Sequence, residues 1–537
     1  MAEREANVPA MDPEVIVDED APGPPISVPD SGDTGEGKLK MIMQLVKKSL
    51  GVKDIAAMRL SLPASLLEPL PNLEYWHYLD RPDLFAAIND SDNAFERMLA
   101  VIRFTFTKDL KFVHGKVCKP YNSVLGEHFR SHWDVPPVQY SSDPTKPPIL
   151  GTHTTCMHSA PASTTALPSE TFSIKSGKSE QSTRSGLSLL SKTKQSPSTA
   201  PTSPQQISDA SLTGHMSNLS LGSGSNDAVG ASDNGHIRVV YITEQVSHHP
   251  PVSAYYATCP ARSVEMAGID QISAKVSGTT LRVAPGLFNK GIYINITGGA
   301  GEGERYHVTH PIASVNGLLR GSFYVTVGDS TIITCSGGKS GERLRAVIEY
   351  KEESWLGRAH FLVEGVIHTY DEGETVHLEW TKVKHVPQSR VLAVFDGCWR
   401  NHIRWRRTQS APSSTSNVSL STSSEYNTLV DLSTLQVVPK VVRPLEKQLP
   451  HESRKLWENV TAKLLNKEYG DATRHKLAIE QKQRDEANER KRNGQVFIPR
   501  YFEENMSSGT PTLTADGWKA VEEELQECAL PDQHAAS

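Results

Sequence analysis

Long apolar runs are missing from this 537-residue chain, and none is long enough to span a bilayer. Its first residues lack the apolar centre of a secretory signal, so the chain is expected in the cytosol. Cysteine is scarce: Cys118, Cys156, Cys259, Cys335, Cys398 and Cys528 are scattered, with no Cys-x-x-Cys pair. That excludes a disulfide frame and suits free thiols in a reducing compartment. A basic excess is missing too. The chain has 56 Lys and Arg against 62 Asp and Glu, a net charge of -6, which argues against nucleic acid as a partner. Hydrophobic residues make up only 37%, below the usual globular share. One large domain of roughly 350 to 400 residues, interrupted by disordered segments, is expected rather than several compact ones.

What is present comes in blocks. Residues 1–37 are rich in Pro, Asp, Glu and Gly without periodicity and read as a disordered tail. From Lys38 to Leu50, the residues Leu39, Ile42, Met43, Val46 and Leu50 share one helical face, while lysines take much of the rest. Such a helix can be a core helix, a membrane-surface helix or a lid over an apolar cavity. Leu60–Pro69, which contains Leu62, Leu66 and Leu67, is a Pro-bracketed strand-like segment. Tyr75–Leu110 reads as helical, with Phe95, Met98, Leu99, Ile102 and Phe106 on one face. Residues 152–236 collapse into Ser, Thr, Gly, Pro and Asn and read as a disordered insertion, a platform for phosphorylation. Such an insertion is tolerated where it joins elements already adjacent, because loop-closure entropy grows only logarithmically.

Residues 237–407 are dominated by β-rich runs at Val252–Thr258, Gly291–Thr297, Leu318–Val327, Leu344–Tyr350 and His360–His368. Val376, Leu378 and Trp380 alternate with polar residues in the pattern of a half-buried antiparallel strand. So many sequential strands point to a large antiparallel sheet closing on itself. A barrel of more than eight strands has room for a ligand. Residues 408–436 read as a linker-like break, 437–505 as a C-terminal helical part and 506–537 as a peripheral tail. Within Glu452–Arg492 a break is expected at Tyr469-Gly470-Asp471, with Asp471 capping the second helix.

Three stretches carry chemistry. The strand-like run Arg238–Ile242 leads into Glu244-Gln245-Val246-Ser247-His248-His249-Pro250-Pro251. The double proline ends the strand, and the bend can bring both imidazoles toward one ligand. No Ser or Cys partner makes the pair a nucleophile system, and zinc needs three or four protein ligands. Two imidazoles can both donate to a phosphate and can charge when one arrives. Lys119-Pro120-Tyr121-Asn122-Ser123-Val124-Leu125-Gly126-Glu127 offers a cation at Lys119 and a neutral donor at Asn122 across a Pro-directed turn. Lys476, Glu480 and Arg484 recur four residues apart and share one helix face, which by itself reads as a salt-bridged solvent stripe.

The string EQVSHHPP resembles the signature of the oxysterol-binding protein family, whose ligand-binding domain is a lipid-transfer module. KPYNSVLGE resembles the family's KPxNPxLGE motif, with Ser123 where proline is usual. The Lys476, Glu480, Arg484 spacing resembles its C-terminal headgroup-contacting helix, and Phe497–Glu503 its closing segment. The resemblance spans about residues 38–505 outside the two low-complexity breaks and suggests a short-form member of fungal type. It implies an α+β fold: a large antiparallel near-closed β-barrel around a lipid tunnel, with an N-terminal lid and helices and C-terminal helices. By residue, 38–151 would hold the lid and N-terminal helices and 237–407 the barrel. Leu39, Ile42, Met43, Val46, Leu62, Leu66 and Leu67 would form the lid and tunnel mouth. A phosphoinositide headgroup would be held by Lys119, Asn122, His248, His249, Lys476, Glu480 and Arg484. In that site Lys476 and Arg484 would bind phosphate and inositol hydroxyls, with Glu480 accepting from a hydroxyl and orienting both cations.

The implied function is non-vesicular transfer between membranes. A sterol, or alternatively phosphatidylserine, would travel one way and phosphatidylinositol 4-phosphate the other. No cofactor or metal is implied. The partners would be these lipids and transient membrane surfaces of the endoplasmic reticulum, Golgi or plasma membrane. Glu425–Asp431 loosely resembles the peptide that binds endoplasmic-reticulum receptors in its phosphorylation-dependent form, which would add a weak receptor contact; a plain linker is the other reading. Two other classes compete. One is a lipid phosphatase or phosphodiesterase using the histidine pair, but no acidic metal cluster or Cys-x5-Arg loop accompanies it. The other is a lipid-sensing adaptor without net transport.

Overall fold

The computed structural model describes residues 26–27, 44, 60–61, 67–114, 119–143, 146–150, 235–277, 280–317, 324–339, 341–353, 359–408 and 425–527. Leu39, Ile42, Met43, Val46, Leu62 and Leu66 of the expected lid and mouth lie outside these residues, as do nearly all of the expected tail and insertion. From the tail, Ile26–Ser27 pairs in parallel with Leu60–Ser61.

The strands are β1 (His128–Val135), β2 (Ile237–Ser247), β3 (Val252–Cys259), β4 (Val264–Asp270), β5 (Ile272–Ser277), β6 (Thr280–Pro285), β7 (Ile292–Ile296) and β8 (Glu304–Val308). They continue with β9 (Ile312–Asn316), β10 (Tyr324–Gly328), β11 (Ser330–Gly337), β12 (Leu344–Tyr350), β13 (Leu362–Thr369), β14 (Val391–Cys398), β15 (His402–Arg407) and β16 (Asn427–Asp431). Twelve of them form one sheet in the order β16-β15-β14-β13-β12-β11-β8-β7-β4-β3-β2-β1, and every pair is antiparallel. The hairpins β5-β6 and β9-β10 leave this meander and join as a four-stranded sheet.

Alternation decides which core each side chain joins. On β2, Val239 and Tyr241 enter the inner cluster, while Val240 and Ile242 meet Tyr256, Tyr501 and Val521 on the outer face. Both faces are covered, so this strand reads as one continuous apolar run.

The two edge strands, β1 and β16, do not pair with each other. The chain after β16 reaches β1 instead, where Val441 and His132 exchange backbone hydrogen bonds at 2.8 and 3.1 Å. Helix α3 (Ala94–Thr107), which follows α1 (Asn72–Tyr75) and α2 (Pro82–Ala86), starts where the Asn93 side chain accepts from the amides of Phe95 and Glu96. It sets Phe95 5.7 Å from Trp405 and Phe106 6.3 Å from Phe395, and its Arg103 Nε donates to the β16 carbonyl of Leu429 at 2.9 Å. Arg97 and Glu304 form a buried ion pair, with Nε to Oε2 at 2.8 Å, which ties α3 to β8. The barrel is near-closed, with a helix at the seam. The face Phe95, Met98, Leu99, Ile102 and Phe106 is buried as its spacing predicts.

Five expectations need correction. The continuous helix Tyr75–Leu110 is broken because Pro82 fits only a helix's first turn and constrains Arg81 before it. Val376–Glu379 is a 3-10 turn, not a strand. Its buried residues are His377 and Trp380, three apart as that helix requires, and Arg345 Nη1 donates to the Trp380 carbonyl at 3.2 Å. The linker 408–436 contains β16, whose Leu429 is fully buried, so the barrel extends from β1 to β16 beyond residues 237–407. The stretch resembling a receptor peptide is thus largely held inside the sheet. The break before α7 (Tyr469–Asn493) falls at residues 466–468, and Asp471 lies within the helix paired to Arg474 rather than capping it.

The last correction concerns the C-terminus. Residues 506–527 are not peripheral: α8 (Ala515–Gln526) buries Ala520 and Val521 against the outer face. Arg130 and Arg443 meet Glu452, Glu523 and Glu524 in a largely buried network that His132 joins through Nδ1 at 2.8 Å from Glu524. Between α3 and α7 lie α4 (Lys111–His114), α5 (Ser453–Leu456) and α6 (Glu458–Leu465).

Candidate functional site

Strand β2 ends at Ser247, and the chain leaves the sheet at the two histidines, as the double proline requires. Ser247 Oγ donates to the Pro250 carbonyl at 2.8 Å, which holds the turn. The His248 and His249 rings stand 4.4 Å apart, so the bend does put both imidazoles at one place. His248 Nδ1 is buried and has no hydrogen-bond partner among the described residues. Burial, then the neighbouring His249, then the charge of Arg484 push the His248 pKa down to about 3, against the Ser123 backbone. Burial therefore holds this ring neutral.

The Lys119–Glu127 loop reaches the same place. Lys119 Nζ donates to Asn122 Oδ1 at 2.7 Å and to its neighbour's carbonyl at 2.9 Å, so cation and amide are one unit. Tyr121 between them is fully buried, its ring 4.9 Å from Trp457 and its hydroxyl 2.9 Å from Thr461 Oγ1. Ser123, in the place of the usual proline, lies beside His248 through its backbone. The loop is anchored by Glu127, whose carboxylate accepts from Ser453 Oγ at 2.7 Å, Trp457 Nε1 at 3.0 Å and the Val124 amide at 3.1 Å. Burial lifts this carboxyl to about 7 against those donors.

Helix α7 supplies the third side. Lys476 is only 4% exposed and bonds Glu480 at 2.5 Å, so this face is not a solvent stripe. Arg484 is exposed, held by Gln481 at 3.0 Å, and near enough for its charge to act on His248. One turn of the same face carries Gln483, buried, whose Oε1 accepts from the Leu125 amide at 2.8 Å.

Ser123, His248 and His249 meet, the charge of Arg484 reaches His248, and the Leu125–Gln483 bond ties the Lys119–Glu127 loop to α7. The Lys119–Asn122 and Lys476–Glu480 pairs lie on that loop and that helix, each held by its own internal bond. Sequence reasoning missed the supports: Glu127, Gln483 and Glu244, whose carboxylate accepts from the amides of Arg500 and Tyr501 at 2.8 and 2.7 Å. Gln483 was readable, since it sits seven residues from Lys476 on one helical face. Glu244 and Glu127 carried no periodic signal. Leu67, the one described member of the expected mouth, is buried against Tyr121 and Trp457.

A near-closed antiparallel barrel with a cluster of imidazole, lysine and arginine at one end defines a barrel-type binding domain. The chain belongs to the oxysterol-binding protein family, whose model, described as Oxysterol-binding protein, matches residues 41–232 and 229–528. It is 40% identical to oxysterol-binding protein-like protein 1 of Schizosaccharomyces pombe, over 92% of each chain. It is 26% identical to human oxysterol-binding protein-related protein 11, over 83% of this chain but only 45% of that longer protein. Among solved structures, the Osh1 ORD domain in complex with cholesterol aligns with a TM-score of 0.52 at 16% identity, covering 93% of this chain and 91% of that one. The Osh3 ORD of Saccharomyces cerevisiae in complex with PI(4)P aligns at 0.50 and 14%, covering 95% and 97%.

Proposed function

We propose that this protein is a non-vesicular lipid carrier that exchanges a sterol for phosphatidylinositol 4-phosphate between membranes. The observation that carries the reading is the buried His248 imidazole, its ring 4.4 Å from that of His249, beside the Ser123 backbone and within reach of the Arg484 charge, at one end of a near-closed barrel. Lys476 is paired with Glu480, the charge of Arg484 reaches His248, and a buried nitrogen of that imidazole has no hydrogen-bond partner among the described residues, so the cluster suits a multiply charged phosphate. Lys119, Asn122, His248, His249, Lys476, Glu480 and Arg484 are assigned to the headgroup.

Inside the barrel the fully buried Tyr255 hydroxyl has no hydrogen-bond partner among the described residues, while nearby Tyr78 donates to Asp270 at 2.6 Å. An apolar cargo with a single hydroxyl would satisfy it, which favours a sterol over phosphatidylserine. A carrier is useful because each buried methylene contributes about 0.8 kcal/mol, so exposing a chain of about sixteen carbons costs on the order of 12 kcal/mol. The protein would work from the cytosol at endoplasmic reticulum, Golgi or plasma membrane; no helix among the described residues is long and apolar enough to cross a bilayer.

The test is transfer between liposomes. Wild type should move labelled sterol and phosphatidylinositol 4-phosphate in opposite directions, and mass spectrometry of co-purifying lipids should find the sterol. Binding without transfer would mean a lipid-sensing adaptor. Release of inorganic phosphate from the phosphoinositide would mean an enzyme.

A further inference from the structure

Residues 371–390 form a flap well away from the headgroup site. Between β13 and β14 the chain makes three 3-10 turns, Val376–Glu379, Val383–His385 and Gln388–Arg390. They lie across the outer face of the sheet, where Trp380 and Val386 pack on Val347, Val366 and Val391. The first turn also carries Val376 and Leu378, 46% and 59% exposed. In the sheet order six strands stand between β13 and β2, the strand that leads to the histidine pair.

Three basic side chains, Arg345 on β12, His368 on β13 and His377 on the first turn, are buried together beneath this flap. Arg345 Nε donates to Thr334 Oγ1 at 3.2 Å, and its Nη1 donates to the carbonyls of His377 and Trp380, which clasps the turn by its backbone. No carboxylate among the described residues pairs with it. His368 Nδ1 lies 3.0 Å from the Thr369 carbonyl, so the ring proton sits there and Nε2 keeps its lone pair. That Nε2 and His377 Nδ1 are both buried with no hydrogen-bond partner among the described residues. A proton arriving on either would make a buried cation without an acceptor, beside an existing guanidinium. The nearby carboxylates are engaged elsewhere or exposed: Asp371 pairs with Arg390 at 2.5 Å, Glu372 with Arg343 at 2.7 Å, Glu349 accepts from the Val383 amide, and Glu374 and Glu379 face solvent. Burial first, then the charges of Arg345, His377 and Arg390, push the His368 pKa down to about 4 against the Thr369 carbonyl. Burial and Arg345 also lower that of His377, against the Glu374 backbone and the charges of Asp371 and Glu374.

We infer that residues 371–390 are an acid-released flap: it lies closed while His368 and His377 are neutral and lifts off the outer face when they take up protons, joining Trp380 and Val386 to Val376 and Leu378 in one apolar strip. The open flap binds more protons than the closed one. Closure is therefore at full strength above the ordinary histidine value and is lost as pH falls from about 6.5 toward 4. The inference does not depend on which lipid the barrel carries.

Hydrogen exchange on the full chain, read by mass spectrometry and corrected for the intrinsic effect of pH, tests it. Between pH 7.5 and 5.5, peptides covering 371–390 should open about tenfold more often, while those of β7 and β8 hold steady. H368Q should flatten most of that response, H377Q part of it, and the double variant all of it. The imidazole signals of wild type give a second reading that needs no substitution: His368 and His377 should titrate only as the flap peptides begin to exchange. Exchange in 371–390 that ignores pH in wild type would overturn the proposal. So would a response that survives in a folded H368Q/H377Q protein, or imidazoles that titrate near pH 6.5 while the flap stays protected.

Discussion

Two clusters of charge sit on this barrel, and they are opposite in kind. Around α8, Arg130 and Arg443 are matched by Glu452, Glu523 and Glu524 within a few ångströms. Around His248, Lys119 is bonded to Asn122, Arg484 to Gln481 and Lys476 to Glu480, and a buried imidazole nitrogen has no hydrogen-bond partner among the described residues. The first cluster sets each guanidinium within 4 Å of carboxylates and fastens a helix to the sheet. The second gathers side chains of mixed kind around a neutral, buried imidazole. Density of charge does not mark a site; a buried donor or acceptor open to a ligand beside cations does.

That contrast can be broken at either end. The largest effect is expected from R443A, which strands buried carboxylates and should cost about 3–5 kcal/mol in urea denaturation. The affinity of the folded fraction for phosphatidylinositol 4-phosphate should not change. Next, H248A/H249A should cut extraction of that lipid from liposomes by at least about a hundredfold, since two hydrogen bonds to a charged group are lost. Its melting curve and its sterol loading should survive, and equal loss of both cargoes would erase the division of labour between the two ends of the barrel. R484A, at an exposed position, should weaken headgroup binding about tenfold. Y255F should reduce sterol affinity about fivefold, leave the phosphoinositide alone and not lower stability, since it removes an unpaired hydroxyl.

The smallest effect is a pH dependence. Burial holds His248 neutral, its pKa pushed down to about 3, and a bound phosphate can only raise that value. The bound state therefore takes up protons, and affinity should rise severalfold as pH falls from about 7.5 to 6. Calorimetry in buffers of different ionisation heat should report net uptake below one proton per ligand. H248Q should abolish it.

Much of this contrast was legible in the sequence. The histidine pair before a double proline, the Lys119–Asn122 turn and the period-four face of α7 all describe local geometry, and local geometry is what residue spacing encodes. The clamp was not legible, because Arg130 and Glu524 meet only after nearly the whole chain has folded. Glu127 and Glu244 were invisible for a related reason: their value lies in distant amides and hydroxyls that no pattern announces. The 3-10 turn at Val376 shows the opposite failure. Alternation was present, but Arg345 from another strand captured the Trp380 carbonyl and His377 turned inward.

Strands β1 and β2 lie side by side, residue for residue, from His128 opposite Glu244 to Val135 opposite Ile237. Val135 and Ile237 are thus neighbours in the sheet, whatever the length of sequence between them. A polypeptide cut in two between residues 151 and 236 would present matching edges on its halves. Co-expressed, the pieces should find each other and rebuild a working barrel, making that seam a natural place to split the protein for a reporter of assembly.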